Sequence, residues 1–515
     1  MYLNAINDTF MKLPQKIAKE AIISFLSMGL GSGFRYLFVL ILARWVGPAY
    51  LGVYSLANAI MRLAEVVGKA GLDNGVIKYV SENFGKNMQK DGKDIIFSAI
   101  KMGFILSIFS LIMLILISNW LVYDIFDEGG LLKQVLIINA CALPFSVTMI
   151  IIASATQSFK LLKYKSFVIN IFVPIMSLLS MLIGLQISKE VAISIPILFS
   201  SIAGCSLITF YLFTLLKNKI SIKDKINFME IKSSKYRLDL LRFSYPLMFV
   251  TIIGTAMHWM DIYMLGFFFD NTTIGMYHPP ARTAGLMRMI LIAFMGIFSP
   301  ILSELFSKND NQGMKNLYHL VVRWIMTIAL PLFLLIILFP KKIMFLFGPE
   351  YQESHLVLSI LTTSVLIQTF IGISGPTLTM TGYPKINFIN SVIVLLINFI
   401  LNITLIPLHA GLGAASATLI SMLFLGLIRS IEVWYILKLQ PLSFKLIKPI
   451  FASIIVLILM ISVKSLIMPF HTIISLLIAS ILIGITYIIL LWLLGFDNDD
   501  KKVISALKIM VIKYK

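Results

Sequence analysis

Residues 35–73 read RYLFVLILARWVGPAYLGVYSLANAIMRLAEVVGKAGLD, two apolar runs parted by a short break around Arg44, Gly47 and Pro48. The rest of the chain decides what such runs are for. Of 515 residues, 59% are hydrophobic and 13% are charged, where a soluble domain has about 45–50% and roughly 25%. A water-soluble globule of this composition would lack the polar surface to stay dissolved. A membrane span needs about 20 mostly apolar residues, and the pattern of residues 35–73 recurs along the whole chain. The runs fall at 20–43, 51–74, 95–118, 131–157, 166–187, 193–216, 241–266, 273–302, 319–339, 354–378, 387–407, 411–437, 446–468 and 473–495. The expected fold class is therefore an all-α integral membrane protein of about fourteen transmembrane helices. Lys12, Lys16 and Lys19 precede the first run and no small-residue cleavage site follows it. It reads as an uncleaved first helix.

Charge sets the orientation. The 43 Lys and Arg outnumber the 24 Asp and Glu, for a net +19. In a soluble chain that excess would point to nucleic acid. Here 31 of the basic residues lie in segments on the N-terminal side, or at the span edges facing it. Six occupy the opposite loops (Arg44, Lys133, Lys189, Lys341, Lys342, Lys464) and six lie within spans. That asymmetry places the N-terminus in the cytoplasm. An even number of spans returns the C-terminal lysines to the same side, as expected of a multi-pass protein of the cytoplasmic membrane. The basic excess is a topology signal, and a nucleic-acid partner is not expected. Cys141 and Cys205 lie inside apolar runs and read as packed thiols.

The chain also repeats itself. At an offset of 223, Leu51-Gly52-Val53-Tyr54 falls on Ile274-Gly275-Met276-Tyr277 and Arg35 on His258. At 220, Lys165 falls on Lys385 and Ile169-Asn170 on Ile389-Asn390. Six spans per half make the repeat parallel, with a substrate path expected at its interface. The domain reading is an N-lobe over 1–216, a cytoplasmic linker over 217–240, a C-lobe over 241–437, and two extra spans with a tail over 438–515. No nucleotide-cradling Gly-rich loop, Cys-x-x-Cys pair or His-Glu-x-x-His helix is present, and the six histidines are never three or four apart. No cofactor or bound metal is expected. The external loops are short for an enzyme acting on a membrane-borne substrate, and active transport without a nucleotide site must draw on a gradient or potential.

The charges inside the spans carry the chemistry. Arg35, Arg62, Lys69, Arg282, Arg288 and Arg429 lie within runs, with the acids Glu65, Asp73, Asp261 and Glu432. Each basic residue near mid-helix costs about 2.5–3.5 kcal/mol toward lipid, so these groups must meet water, an acid or a substrate. Arg429 and Glu432 are three apart and are expected to neutralise each other. Lys69 and Asp73 sit near the span edge, where a lysine snorkels. Arg62 and Glu65 are also three apart, so a local pair competes with a cavity role. Arg35, Arg282 and Arg288 have no acid three or four residues away and are the stronger cavity candidates. Six residues is about 600° of helix, so Arg282 and Arg288 share a face only if His278-Pro279-Pro280 bends the helix. Asp261 reads two ways: as the partner of an arginine in span eight, or as the seat of a coupling cation or proton. The mainly basic midplane of spans one, two, seven and eight suits an anion, phosphate above all.

The stretch Ile41 to Tyr54 resembles the first-loop signature of polysaccharide repeat-unit flippases in the multidrug/oligosaccharidyl-lipid/polysaccharide exporter superfamily. Gly71-Leu72 with Val76 to Val80, Asp261 to Gly266, and Phe347 to Tyr351 continue the likeness. The resemblance implies two six-helix lobes around a central cavity worked by alternating access. It implies an undecaprenyl-diphosphate-linked oligosaccharide as substrate, flipped to the outer leaflet for O-antigen, capsule or exopolysaccharide export. It places Arg35, Arg62, Arg282 and Arg288 on the cavity wall; Glu65 and Asp261, read from their place inside the spans, are possible coupling (H+ or Na+) or structural carboxylates. Expected partners are membrane lipids, a polysaccharide polymerase and glycosyltransferases. A multidrug cation exporter of the same superfamily and a membrane-embedded glycan enzyme are the alternative readings.

Overall fold

A computed structural model describes residues 26–86, 88–159, 161–219, 236–440 and 443–495. Most of the expected linker and the N- and C-terminal lysines lie outside them. Among the described residues every regular element is a helix. In order these are α1 (Leu26–Val46), α2 (Pro48–Lys69), α3 (Leu72–Gly85), α4 (Gln89–Asn119), α5 (Gly130–Ala140), α6 (Leu143–Ser158), α7 (Leu162–Phe167), α8 (Val173–Leu185), α9 (Lys189–Lys219), α10 (Tyr236–Phe268), α11 (Asn271–Ser307), α12 (Asn311–Leu338), α13 (Pro340–Phe345), α14 (His355–Ile371), α15 (Ser374–Met380), α16 (Pro384–Leu437), α17 (Ile447–Ile467) and α18 (Thr472–Leu493).

Twelve helical segments among the described residues are long and apolar enough to cross a membrane, and the chain is a multi-pass membrane protein. Two features separate twelve from the fourteen runs of the sequence. Helix α2 has 22 residues, enough to span, but Asn58, Arg62 and Glu65 keep its mean hydropathy below the others. Helix α16 is 54 residues long, about 80 Å at 1.5 Å per residue, far beyond a hydrocarbon core of about 30 Å. It is two spans. Ala410 (φ 47°, ψ −125°) breaks the helical path just after Pro407. A Cβ on Gly413 would strike the Leu405 carbonyl, so only glycine lets the two arms meet that closely.

Local chemistry sets the ends. The α1–α2 turn is one residue, Gly47, at φ 84°, with Pro48 at the first helical position, where its missing N–H costs nothing. Ala70 and Gly71 are both left-handed (φ 47° and 70°) and turn the chain into α3. That 14-residue helix matches none of the apolar runs of the sequence. Leu72, Val76 and Val80 are buried at a spacing of four, and Lys78, Ser81 and Glu82 lie off that stripe. It is too short to span and packs on α4, α6 and α10.

By contact the chain divides into two units, Met1–His278 and Pro279–Lys515. The first is cored by Leu72, Val76, Val80, Ile95, Ile96, Val147, Ile151, Ile208 and Leu212. The second has one core around Phe298, Leu302, Tyr318, Val322 and Val433. A further core joins Leu334 and Phe339 to Val456 and Met460 of α17 and to Ala479 and Ile483 of α18. Each buried aliphatic side chain stabilises its unit only through packing, since lipid is as apolar as a core.

The repeat leaves a geometric mark inside the first unit. A Cβ on Gly52 would overlap the carbonyl of Asn271, and one on Gly275 would overlap that of Pro48. Adding 223 to 48 and 52 gives 271 and 275. The repeat offset therefore exchanges the two contacts, as a two-fold relation requires.

Candidate functional site

Helices α2 and α10 carry three of the candidates and run antiparallel. Gly266 lies against Leu56, the Tyr263 hydroxyl donates to the Ala59 carbonyl (2.6 Å), and Gly71 meets Ser244. Interpolating between these contacts puts Asp261 and Arg62 at the same level of the first unit. Arg62 Nη1 donates to Glu65 Oε2 at 2.7 Å. The Arg62 side chain is 45% exposed and that of Glu65 only 7%. The local pair read from the sequence therefore forms, on an arginine whose side chain remains partly exposed. Glu65 Oε1 is buried without a hydrogen-bond partner. Half-buried Asp261 accepts a 2.5 Å hydrogen bond from the Tyr277 hydroxyl. Tyr277 is the repeat equivalent of Tyr54, so the matched tetrapeptide was the available signal for it.

Arg35 is exposed on α1, and its Nη2 donates to the Ile169 carbonyl at 3.0 Å. The local backbone explains why that carbonyl is open. Residues Val168–Phe172 form a π-helical turn, and the Val173 N–H reaches the Val168 carbonyl five residues back. In that register the Ile169 carbonyl faces residue 174, a proline with no N–H to give. Arg35 supplies the missing donor. Gly31, one turn earlier on α1, allows the approach, because a Cβ there would strike the Asn170 carbonyl.

In the second unit, Arg282 and Arg288 are half-buried on α11. Arg288 Nε donates to Gln368 Oε1 of α14 at 3.0 Å. Helix α11 runs unbroken from Asn271 to Ser307 with Pro279, Pro280 and Pro300 inside it. The Thr283 hydroxyl donates to the Pro279 carbonyl at 2.8 Å. The sequence expected Arg429 to neutralise Glu432, and the structure gives each another partner. Arg429 Nη2 donates to Ser391 Oγ (3.0 Å), and Glu432 Oε2 accepts from Asn390 Nδ2 (2.5 Å). These bonds tie the two spans of α16 side to side. At the span edge, Lys69 Nζ lies 2.9 Å from Asp73 Oδ2.

Outside the spans, Glu128 Oε1 accepts from the Asn271 N–H at 2.9 Å and caps α11. Burial holds the Glu128 carboxyl above its ordinary range, against the opposing pull of that hydrogen bond. Burial also raises Asp270, but hydrogen bonds from Thr273 and Thr272 outweigh it and leave that carboxyl below its ordinary range.

Comparison with known proteins adds to this geometry. A family model described as polysaccharide biosynthesis protein matches residues 41–356, which include Arg62, Glu65, Asp261, Arg282 and Arg288 but not Arg35. The chain is 25% identical over 408 residues to the probable low-salt glycan biosynthesis flippase Agl15 of Haloferax volcanii, covering 79% of this chain and 81% of that one. Among solved structures it is similar to the lipid II flippase MurJ in an inward closed conformation (TM-score 0.69, 17% identity, 92% of this chain and 98% of that one). It is also similar to an inward-facing multidrug resistance MATE family transporter of the MOP superfamily (TM-score 0.66, 13% identity, 81% and 98%). At these identities the two solved structures speak to the fold alone.

Proposed function

We propose a function from the premise that this chain belongs to the polysaccharide biosynthesis protein family: it moves an undecaprenyl-diphosphate-linked oligosaccharide from the inner to the outer leaflet of the cytoplasmic membrane. The observation that carries this reading is the set of guanidinium groups on spanning helices. Arg62 stays partly exposed beside its acid, and Arg282 and Arg288 sit half-buried on α11. A cation held in a span is tolerable only toward water, an acid or an anion. A diphosphate supplies the anion, and Arg binds it through paired donors. The flippase name borne by the archaeal relative supports the same direction.

In this mechanism the lobes 1–216 and 241–437 rock about the repeat axis, with both termini and the 217–240 linker in the cytoplasm. The head group enters the arginine-lined cavity while the prenyl tail stays in lipid. Pro279 and Pro280 remove two helical N–H donors from α11, and the bend of alternating access is assigned there. Glu65 and Asp261 are the carboxylates available to a coupling H+ or Na+. A polymerase and glycosyltransferases would act before and after the transfer. A second reading, drug export, draws on the MATE likeness and on those same carboxylates. Replacing Arg62 or Arg282 by alanine tests the two. Surface glycan should be lost from cells in which the variant still inserts. Normal glycan with loss of drug resistance would overturn the flippase reading.

A further inference from the structure

The second unit holds a cavity of about 800 Å³ at the N-terminal ends of α12 and α17. Both helices enter the membrane there, so the cavity sits at the water–membrane boundary. Its lining includes Lys315, His319 and Lys445 and no carboxylate. The His319 ring is held by its Nε2, 3.0 Å from the Gln440 carbonyl. A carbonyl only accepts, so Nε2 is the donor and carries the hydrogen. Ser443 Oγ, also on the wall, is buried without a hydrogen-bond partner, although Ser443 occupies the N-cap of the short 3-10 turn Phe444–Leu446. A cap hydroxyl ordinarily bonds the backbone, and this one does not.

Beside the cavity the surface turns apolar in one direction. Phe444 is 90% exposed, and Ile447, Phe451, Ile454 and Ile458 are exposed after it at spacings of three and four. From Ile447 to Ile458 this is one face of α17, about 16 Å long over 11 residues at 1.5 Å per residue. A cationic, hydroxyl-bearing cavity at the head of an apolar track has the outline of an amphiphile. We propose that this cavity binds the phosphate head group of a lipid, its hydrocarbon chain lying along α17. Two sources share that chemistry, an anionic membrane phospholipid and a polyprenyl phosphate. The proposal depends on membrane insertion and is independent of the glycan-export reading.

The test is native mass spectrometry of the delipidated full-length protein in detergent, with phosphatidylglycerol, undecaprenyl phosphate and phosphatidylcholine added in separate titrations. The Lys315→Gln/Lys445→Gln variant should bind the anionic lipids about tenfold more weakly. Ser443→Ala should weaken them at unchanged charge. Tighter binding of undecaprenyl phosphate than of phosphatidylglycerol would make the cavity an entry subsite for substrate, and the reverse order would make it a site for membrane phospholipid. Anionic-lipid affinity unchanged in both variants, with gel filtration and Tm showing them folded, would overturn the proposal. So would phosphatidylcholine binding as tightly as the anionic lipids. Glycan export by the same variants is scored separately, so failure of this site and failure of the export reading are told apart.

Discussion

The bond between Arg35 and Ile169 can be separated from any role of Arg35 in a cavity, because its cause is known. Pro174 leaves the Ile169 carbonyl without a backbone donor in the π register, and Arg35 Nη2 fills the place at 3.0 Å. Removing Arg35 takes the donor from that carbonyl at an exposed position, where a hydrogen bond is worth a net of about 0.5–1.5 kcal/mol. Pro174→Ala restores an N–H opposite it. The proline lies inside the continuous helical segment Leu162–Leu185, where the π turn already accommodates its ring, so that change alone should move stability little. In the double variant the cost of Arg35→Ala should fall by about 1 kcal/mol, beyond the ~0.5 kcal/mol expected of independent sites. The assay is thermal unfolding of the four detergent-solubilised proteins, where 1 kcal/mol moves Tm by about 2–4 °C in a unit of 150–250 residues. Equal destabilisation by Arg35→Ala in both backgrounds would refute the reasoning about the carbonyl. Surface glycan is then measured in the same strains. The flippase reading expects Arg35→Ala/Pro174→Ala to be stable and still unable to export, since alanine restores the backbone bond and not the guanidinium. Recovery of export with stability would assign Arg35 to scaffolding alone.

Further outcomes are expected elsewhere. A Cβ on Gly52 would lie 2.6 Å from the Asn271 carbonyl carbon, where carbon atoms ordinarily rest at about 3.5–4.0 Å. Gly52→Ala and Gly275→Ala should each cost about 1–3 kcal/mol of that contact. A Ser55→Cys probe in a Cys141→Ser/Cys205→Ser background should then react faster with an impermeant thiol reagent, and unchanged labelling would count against a tight crossing. Lys342 Nζ donates to the Met468 and Phe470 carbonyls and to Ser475 Oγ at 2.7–2.9 Å, tying α13 to the α17–α18 turn. Lys342→Met should cost about 2–3 kcal/mol and speed hydrogen exchange at residues 467–476. Burial raises the Glu128 carboxyl, so the folded form holds its proton to higher pH than the unfolded form. That contribution to stability is full below the ordinary carboxylate value and is lost as pH rises through the raised one. Glu128→Gln, which still accepts from Asn271, should flatten that part of the Tm–pH curve, and a curve identical to wild type would refute it.

The spans were legible because lipid imposes one rule on every residue it touches, and length with hydropathy states that rule in the sequence. The two harder features had local causes. Helix α3 is neither long nor apolar enough to announce itself, and its buried stripe of Leu72, Val76 and Val80 makes sense only once α4, α6 and α10 are there to cover it. The break at Ala410 lies between Pro407 and Gly413, and an alanine at φ 47° is not where a sequence reading would look for it, since that conformation favours glycine. Charged residues divide in the same way. Arg62 and Glu65 could be paired from their spacing, since three residues fix their neighbourhood on a helix. Arg429 and Glu432 have the same spacing and are not paired, because Ser391 and Asn390 of the other arm compete for them.

Spacing, then, tells which groups can meet, and tertiary competition decides which do. For Arg35 the competitor is a backbone carbonyl, and a proline nearby in space leaves it open at a definite residue. Pro174 explains Arg35 in this way. The same logic bears on α11, where Pro279 and Pro280 deprive the carbonyls of Gly275 and Met276 of their helical donors. One of these carbonyls belongs to Gly275, which packs on Pro48, and the other to the next residue. A helix weakened where a glycine contact demands close packing can tilt without breaking further hydrogen bonds, because those bonds were never made. A pair of alanines at 279 and 280 would supply two donors and stiffen the turn. Export should then slow while Tm rises, a combination that a purely structural role for the prolines does not produce.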